Sequence, residues 1–263
     1  MNNKNKFIEE VIENIISITG SQDYQIISTH EPNFQNTNAI TYVNECINSG
    51  WVSSAGKWVD KFEQIICEYT GAKYATAVTN GTVALRLALF LVGVKQSEEV
   101  FIPPITFVAT ANAVSHLGAT PHFIDIEKDF LGMCPKALEK RLDEVAVKKN
   151  GKIYNKFSGK RIAAILPVHI FGTPAKIIEL KQVADTWKIP LIEDAAEALG
   201  SWVKDDNQLK HCGLFGEASI ISFNGNKILS TGGGGVIITN NKTLALKAKH
   251  FSTTAKIKHP WEF

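Results

Sequence analysis

Short apolar runs alternate along the chain with segments in which apolar residues recur every three or four positions, a pattern typical of consecutive strand–helix units. The apolar runs predict strands at 74–79, 100–102, 121–125, 162–167, 190–192, 218–223 and 236–239. The helical periodicity predicts helices at 37–47, 57–69, 83–92, 107–116, 135–142, 175–187 and 244–250. Repeated units of this kind imply a mixed, mostly parallel sheet with helices on both faces. We therefore expect a three-layer α/β fold.

The two ends of the chain lie outside this alternation. Residues 1–19 predict an amphipathic helix, and 20–36 are irregular, so that 1–30 form a lead-in and 31–263 one large domain. The chain finishes with Trp261 and Phe263 in its last three residues. We expect these side chains to belong to apolar surface that further chain or a partner covers.

Composition narrows the class of protein. The chain has 263 residues, 44% of them hydrophobic, and a formal net charge of +2, which is typical of a soluble globular protein and argues against nucleic acid as the main partner. No apolar run is long enough for a membrane span. Four cysteines without a CxxC pair indicate reduced thiols in a cytoplasmic protein. The histidines show no metal-ligand spacing, and we expect no metal site.

A single lysine, Lys227, stands in an otherwise uncharged turn, SFNGNKILSTGGGG, between two predicted strands. A lysine with few routes to solvent is desolvated, so its pKa is expected to fall and its amine to become nucleophilic. This is the environment that a Schiff-base lysine needs. A surface turn with one solvated lysine is equally compatible with this stretch.

Three further features follow predicted strands, where doubly wound sheets bind ligands. Gly81 and Thr82 begin a helix after a strand and suit an anion, although a plain helix cap is also compatible. Glu193 and Asp194 end a buried strand, with Glu197 three residues further on. A buried carboxylate there needs a cationic partner, for which a protonated pyridine nitrogen is favoured over a metal. Phe107 follows Pro103-Pro104 and could stack on a cofactor ring, although an isolated Phe is more often a core residue. Together these parts suggest a pyridoxal-phosphate site.

The same stretches resemble the DegT/DnrJ/StrS sugar aminotransferases, of the aspartate-aminotransferase fold type. The resemblance covers most of residues 30–263 and rests on 79–85 (TNGTVAL), 104–110 (PITFVAT), 167–172 (PVHIFG), 193–197 (EDAAE) and 222–227 (SFNGNK). The stretch 50–54 (GWVSS), the NGN before the lysine and the four-glycine run are similar to the LegC-like branch. That branch aminates UDP-linked 4-keto-6-deoxy-N-acetylhexosamines on the way to legionaminic-acid-type or bacillosamine-type sugars.

The resemblance implies a role for each residue. Lys227 would bind the cofactor covalently and move protons, and Asp194 would keep the pyridine nitrogen protonated. Phe107 would stack on the ring. The phosphate would be held by Gly81, Thr82 and Ser222. Glu197 stands where many relatives have Gln or His, and it would contact the ring oxygen or the substrate.

The expected activity is pyridoxal-phosphate-dependent transfer of an amino group, from glutamate, to the C4 ketone of a nucleotide-linked 4-keto-6-deoxy sugar. The large domain would be that of a fold-type I aminotransferase. Relatives continue through a small C-terminal domain and form homodimers in which a neighbouring subunit's Asn completes the phosphate site, so we expect that this sequence is the larger part of such a protein. The alternative is a truncated, non-catalytic remnant that binds cofactor or partner through the same fold.

Overall fold

The computed structural model describes residues 3–20, 30 and 32–255. The chain divides into two units, Met1–Asn33 and Phe34–Phe263. Within the described part of the first unit, α1 (Asn3–Thr19) forms the helix expected at the N-terminus. Most of the lead-in after it and the tail with Trp261 and Phe263 lie outside the described residues.

The second unit contains the predicted alternation of strands and helices. Its helices are α2 (Ala39–Ser49), α3 (Lys57–Thr70), α4 (Gly81–Leu91), α5 (Ala109–Ser115), α6 (Pro135–Val145), α7 (Ile177–Trp187) and α8 (Lys242–Ser252). Its strands are β1 (Tyr74–Val78), β2 (Glu99–Ile102), β3 (Thr120–Phe123), β4 (Ala146–Lys149), β5 (Lys152–Asn155), β6 (Ile162–Ile165), β7 (Ile192–Asp194), β8 (Trp202–Asp205), β9 (Gln208–His211), β10 (Ala218–Ser222) and β11 (Gly235–Thr239).

The main strands form two sheets that touch through isolated bridges. One sheet has the order β1-β11-β10-β7, and the other has the order β3-β2-β6. Parallel bridges Ile165↔Leu191 and Val168↔Asp194 join β6 to β7 at the sheets' common edge. Strand β11 runs antiparallel to both of its neighbours, whereas β10/β7, β2/β6 and β2/β3 are parallel pairs. The prediction of a mixed, mostly parallel sheet is confirmed.

Helices cover both faces of this sheet because its strands are apolar on both sides. Along β2, Val100 and Ile102 pack with residues of α4 and α5, whereas Phe101 packs with residues of α6 and α7. Strand β10 divides in the same way, with Ile220 in the first cluster and Ile221 packed with Ile66 of α3. The result is the expected three-layer α/β arrangement.

Several details differ from the sequence-based expectations. Helix α2 begins at Ala39 rather than Thr37, whose hydroxyl accepts a hydrogen bond from the Ala39 amide at 3.3 Å. Strand β1 ends at Val78 rather than at residue 79, and it is half-buried because it is a sheet edge. The hairpin β8/β9 was not predicted. It turns at Asp206 and Asn207, which both have positive φ, as a tight hairpin turn requires.

The basic segment 148–161 contains most of the hairpin β4/β5, which turns at Asn150 and Gly151. Beyond it, Ser158 and Lys160 donate to the side chains of Glu99 and Thr120, the first residues of β2 and β3. The segment therefore lies at the amino ends of these strands. Since ligands of such sheets bind at the carboxyl ends, the positive charges of this segment lie at the opposite end of these strands.

Among the described residues, no helix is both long and apolar enough to cross a membrane. The same residues hold no group of three or more His, Cys, Asp or Glu side chains arranged to bind a metal ion.

Candidate active site

A cavity of about 310 Å³ opens where β1, β2, β7 and β10 end. It brings together every residue predicted for the site: Gly81, Thr82, Phe107, Asp194, Glu197, Ser222 and Lys227. They come from four separate chain segments, which the sheet topology places at one edge. Asn80, Thr106, Thr110, His169, Asn224 and Asn226 also line it.

Asp194 is the last residue of β7 and is only 4% exposed. Its Oδ2 accepts a hydrogen bond from Thr110 Oγ1 at 2.6 Å, and its Oδ1 accepts one from the Ala196 amide at 3.2 Å. Burial raises the pKa of the Asp194 carboxyl, although these two hydrogen bonds and the positive charge of Lys227 act in the opposite direction. The carboxylate is thus costly to ionise and would be stabilised by a cationic ligand.

The neighbouring acid, Glu193, is fully buried on the other face of the strand and does not line the cavity. Its Oε1 accepts from the amides of Phe215 and Gly216, both at 2.7 Å. Its Oε2 accepts from the Gly213 amide at 2.9 Å and contacts His169 Nε2 at 3.1 Å. Glu193 therefore ties the loop before β10 to the sheet, a structural task.

His169 lines the cavity from the segment after β6, with its ring buried. The Ala175 amide donates to its Nδ1 at 3.1 Å, so the ring proton is on Nε2 and is donated to Glu193. In the sequence, His169 belongs to the 167–172 motif and shows no metal-ligand spacing, and neither feature predicts a role for it in the site. Its place between a strand-end acid and the cavity became visible only in three dimensions.

Lys227 lies in the turn after β10, and its side chain is 10% exposed. Its Nζ donates to Glu197 Oε1 at 2.7 Å and lies 5.9 Å from the centre of the Phe107 ring. The other oxygen of Glu197 accepts from the Phe171 amide at 3.1 Å. The lysine amine and the aromatic ring therefore face the same space, and Glu197 contacts the lysine directly.

The opposite end of the cavity is the N-terminus of α4. The Asn80 side chain caps this helix by accepting from the Val83 amide at 2.8 Å. The amides of Gly81 and Thr82, in the first turn, have no acceptor within the helix and lie at its positive dipole end. Ser222 adds a hydroxyl from β10. A Cβ on Gly81 would lie 3.0 Å from the Ser222 Cβ, so glycine permits this close approach.

Glycine has a comparable role at position 235, the first residue of β11. A Cβ there would lie 2.5 Å from the Asn80 carbonyl carbon. The close packing of β11 against the turn before α4 fixes where that helix begins. This accounts for one member of the four-glycine run, whereas a Cβ on Gly233 would meet nothing nearer than 3.9 Å.

The model of the DegT/DnrJ/EryC1/StrS aminotransferase family matches residues 34–262. The chain belongs to this family. It is 40% identical over 210 residues to the GDP-perosamine synthase of Escherichia coli O157:H7, a match that covers 80% of this chain and 52% of that protein. It is also 40% identical over 215 residues to the putative pyridoxal phosphate-dependent aminotransferase EpsN of Bacillus subtilis (strain 168), covering 82% and 52%. The chain spans about half the length of these curated relatives.

Solved structures of other proteins have the same fold as this chain. NtdA from Bacillus subtilis, with the cofactor PMP bound, superposes with a TM-score of 0.73 at 25% identity, covering 92% of this chain and 53% of NtdA. PseC of Helicobacter pylori, an aminotransferase involved in the biosynthesis of pseudoaminic acid, superposes with a TM-score of 0.73 at 26% identity, covering 89% of this chain and 57% of PseC. The fold of the large domain of a fold-type I aminotransferase is thereby confirmed, and pyridoxal phosphate is the cofactor of the family.

The side chains of the cavity fit this cofactor. The volume of the cavity, about 310 Å³, lies at the lower end of the roughly 300–1,000 Å³ typical of small-molecule pockets. Among the described residues, Asp194 takes part in no ion pair, because the Lys227 ammonium contacts Glu197 and the His169 proton faces Glu193. A pyridinium would supply the missing cation, and the α4 N-terminus would receive a phosphate.

Proposed function

We propose that this chain forms the cofactor-binding part of a pyridoxal-phosphate-dependent nucleotide-sugar aminotransferase. The observation that carries the proposal is the convergence of Lys227, Asp194 and the N-terminus of α4 on one cavity. These are an amine, an anion and an anion-binding helix end, the three complements of an aldehyde, a pyridine and a phosphate. Family membership supports the same assignment.

Each side chain then has a defined task. Lys227 provides the amine that holds the cofactor covalently and moves a proton between the cofactor and the carbon atom that gains or loses nitrogen. Asp194 holds the pyridine nitrogen protonated, and Phe107 packs against the ring. Gly81, Thr82 and Ser222 hold the phosphate. Glu197 neutralises the Lys227 ammonium and is within reach of the ring oxygen or the substrate. When bound, the cofactor supplies the carbonyl and the electron-withdrawing ring through which an amino group passes.

The acceptor in this proposal is the C4 ketone of a nucleotide-linked 4-keto-6-deoxy sugar, and the donor is glutamate. The reaction converts the donor to 2-oxoglutarate while the ketone oxygen of the sugar is replaced by an amino group. The LegC-like motifs favour a UDP-linked N-acetylhexosamine, whereas three of the relatives are named GDP-perosamine synthase. The nucleotide is therefore the variable to test.

The proposal extends to the setting of the enzyme. We place it in the cytoplasm, as a homodimer in its full-length form, with residues 31–263 as the cofactor-binding large domain. Exposed apolar side chains near the cavity support a covered surface there: Ile105, Phe107, Val108 and Ile228 are between 40% and 76% exposed.

Covalent trapping of the cofactor tests the proposal directly. The purified chain is mixed with pyridoxal phosphate, reduced with borohydride and digested, and the labelled peptide is identified by mass spectrometry. We expect the label on Lys227. UDP- and GDP-linked 4-keto-6-deoxy sugars are then supplied with glutamate, and 2-oxoglutarate and amino-sugar are measured. Failure to label Lys227 would refute the proposed site, and labelling without amination of either sugar would favour the non-catalytic remnant.

A further inference from the structure

Thr110 is one of the cavity residues that were not predicted for the site. It lies in the first turn of α5, is 1% exposed, and lines the cavity beside Asp194. Its hydroxyl donates to Asp194 Oδ2 at 2.6 Å across 84 residues of sequence. A buried threonine hydroxyl in a short helix more often bonds its own backbone, so a bond to an acid on the neighbouring element is a specific arrangement.

A second hydroxyl extends this contact. Thr106 Oγ1 lies 2.6 Å from Thr110 Oγ1 and 3.2 Å from the Phe107 carbonyl oxygen. Because Thr110 gives its one hydroxyl proton to Asp194, Thr106 is the donor in the 2.6 Å contact, and its proton is directed to Thr110 rather than to the Phe107 carbonyl. In this series of hydrogen bonds, donation by Thr106 polarises the Thr110 hydroxyl and strengthens the bond that Thr110 donates to the Asp194 carboxylate. Together with the Ala196 amide on the other oxygen, it holds both carboxylate oxygens in place.

The charged surroundings of Asp194 explain why neutral donors matter here. Burial disfavours its ionised form and raises its pKa. The nearby cation, Lys227, is occupied by Glu197, and the neutral His169 ring donates to Glu193 on the other face. Neutral hydroxyl and amide donors stabilise the anion without cancelling its charge, which leaves that charge for a cationic ligand.

We propose that Thr110 is a positioning residue that keeps Asp194 ionised and oriented toward the pyridine nitrogen. This inference rests on the proposed function for the identity of the ligand, although the coupling of Thr110 to Asp194 is a property of the cofactor-free chain. Thr110→Val keeps the side-chain shape and removes the donor, and Thr110→Ser restores it. Thr70→Val is the matched control, because the equally buried Thr70 hydroxyl donates to the Ile66 carbonyl outside the cavity.

Two measurements separate this inference from the proposed function. Infrared titration of the cofactor-free protein, labelled with ¹³C-aspartate and compared with Asp194→Asn, follows the carboxyl itself. Thr110→Val should shift its ionisation to higher pH, and Thr110→Ser and Thr70→Val should titrate like the wild type. Pyridoxal phosphate should bind Thr110→Val about tenfold more weakly, the loss expected for a hydrogen bond to a charged group.

The outcomes are distinct. An unshifted carboxyl titration in Thr110→Val overturns the inference, as does unchanged cofactor affinity alongside a wild type that binds. If the wild type binds no cofactor, the proposed function fails, and the infrared titration still decides whether Thr110 controls Asp194. Should Thr110→Val not fold, Thr110→Cys, which keeps the size and only a weak donor, is interpreted by the same criteria.

Discussion

Lys227 Nζ lies 2.7 Å from Glu197 Oε1, although the two residues belong to different loops, one after β10 and one after β7. The pair neutralises both side chains in a cavity whose other acid, Asp194, accepts only neutral donors. Glu197 also accepts from the Phe171 amide, which fixes the carboxylate on its far side. The lysine is therefore held beside the Phe107 ring rather than extended into solvent, the orientation that covalent attachment of a cofactor requires.

Lys227→Ala should abolish covalent trapping of pyridoxal phosphate while leaving noncovalent binding partly intact, because the phosphate and pyridine contacts remain. Borohydride reduction followed by mass spectrometry gives the first quantity, and equilibrium dialysis gives the second. Lys181→Ala is the control, since Lys181 forms an ion pair with Asp185 on the outer helix α7. Turnover retained by Lys227→Ala would remove this lysine from its assigned role.

Asp194→Asn should lower amination on the order of a hundredfold or more, because an amide cannot hold the pyridine nitrogen protonated. The same change should stabilise the cofactor-free fold at neutral pH. The pKa of Asp194 in the fold lies above its ordinary value of 3.8, so ionisation costs stability as pH rises through the folded pKa. Urea denaturation across pH tests this. If Asp194→Asn is no more stable than the wild type at pH 7, the stability prediction is wrong. If its amination activity is unaltered, the assignment of Asp194 to the pyridine nitrogen is wrong.

The pair Glu193-Asp194 shows what the sequence can and cannot predict. Two acids at the end of an apolar run indicate a strand end with a ligand, and that indication led to the cavity. The alternation of side chains along a strand places Glu193 and Asp194 on opposite faces, but the sequence does not reveal which face borders the cavity. Only the resemblance to the family indicates Asp194 as the acid that pairs with the pyridine nitrogen. The task of Glu193 depends on amides about 20 residues away, which no local pattern reveals.

Glu193→Gln should lower the free energy of unfolding by about 3 kcal/mol, because its amide group would meet donors that now bond to a carboxylate oxygen. The affected donors include the amides of Gly213, Phe215 and Gly216. Urea denaturation measures the loss, and Glu217→Gln, an exposed change nearby, should be close to neutral. A loss no greater than the control's would show that this network contributes little.

The fold was largely predictable because strand length and helical periodicity agree along most of 57–250. The misses have local causes. The β8/β9 hairpin depends on Asp206 and Asn207 at positive φ, a weaker turn signal than Asn-Gly. Thr110 was overlooked because a threonine inside a predicted helix gives no sign of a partner 84 residues away.

The side chain of Glu99 should make the free energy of unfolding depend on pH in the acidic range. Burial raises the pKa of Glu99, but hydrogen bonds from Ser158, Asn155 and His122 outweigh it, and the pKa lies below its ordinary value of 4.5. A lowered folded-state pKa contributes stability above the unfolded value, which is lost as pH falls through the folded value. The advantage of the wild type over Glu99→Gln should therefore be greatest above pH 4.5 and shrink below it. Glu139→Gln, on the exposed face of α6, should show no such trend. A constant difference between the wild type and Glu99→Gln at all pH values would contradict the assignment.

Gly235→Ala should damage the phosphate end of the cavity while leaving the ring end intact. The added Cβ would lie 2.5 Å from the Asn80 carbonyl carbon and 2.9 Å from the Gly81 amide nitrogen, so the turn that begins α4 must move. Overpacking of this kind costs about 1–3 kcal/mol of stability.

Because the displaced amides are those assigned to the phosphate, affinity for pyridoxal phosphate should fall more than affinity for pyridoxal, which lacks that group. Gly233→Ala, in the same run but with its nearest atom 3.9 Å away, should change neither affinity. Equal losses for both ligands in Gly235→Ala would mean that the α4 N-terminus is not the phosphate site, and the orientation proposed for the cofactor would have to be reversed or abandoned.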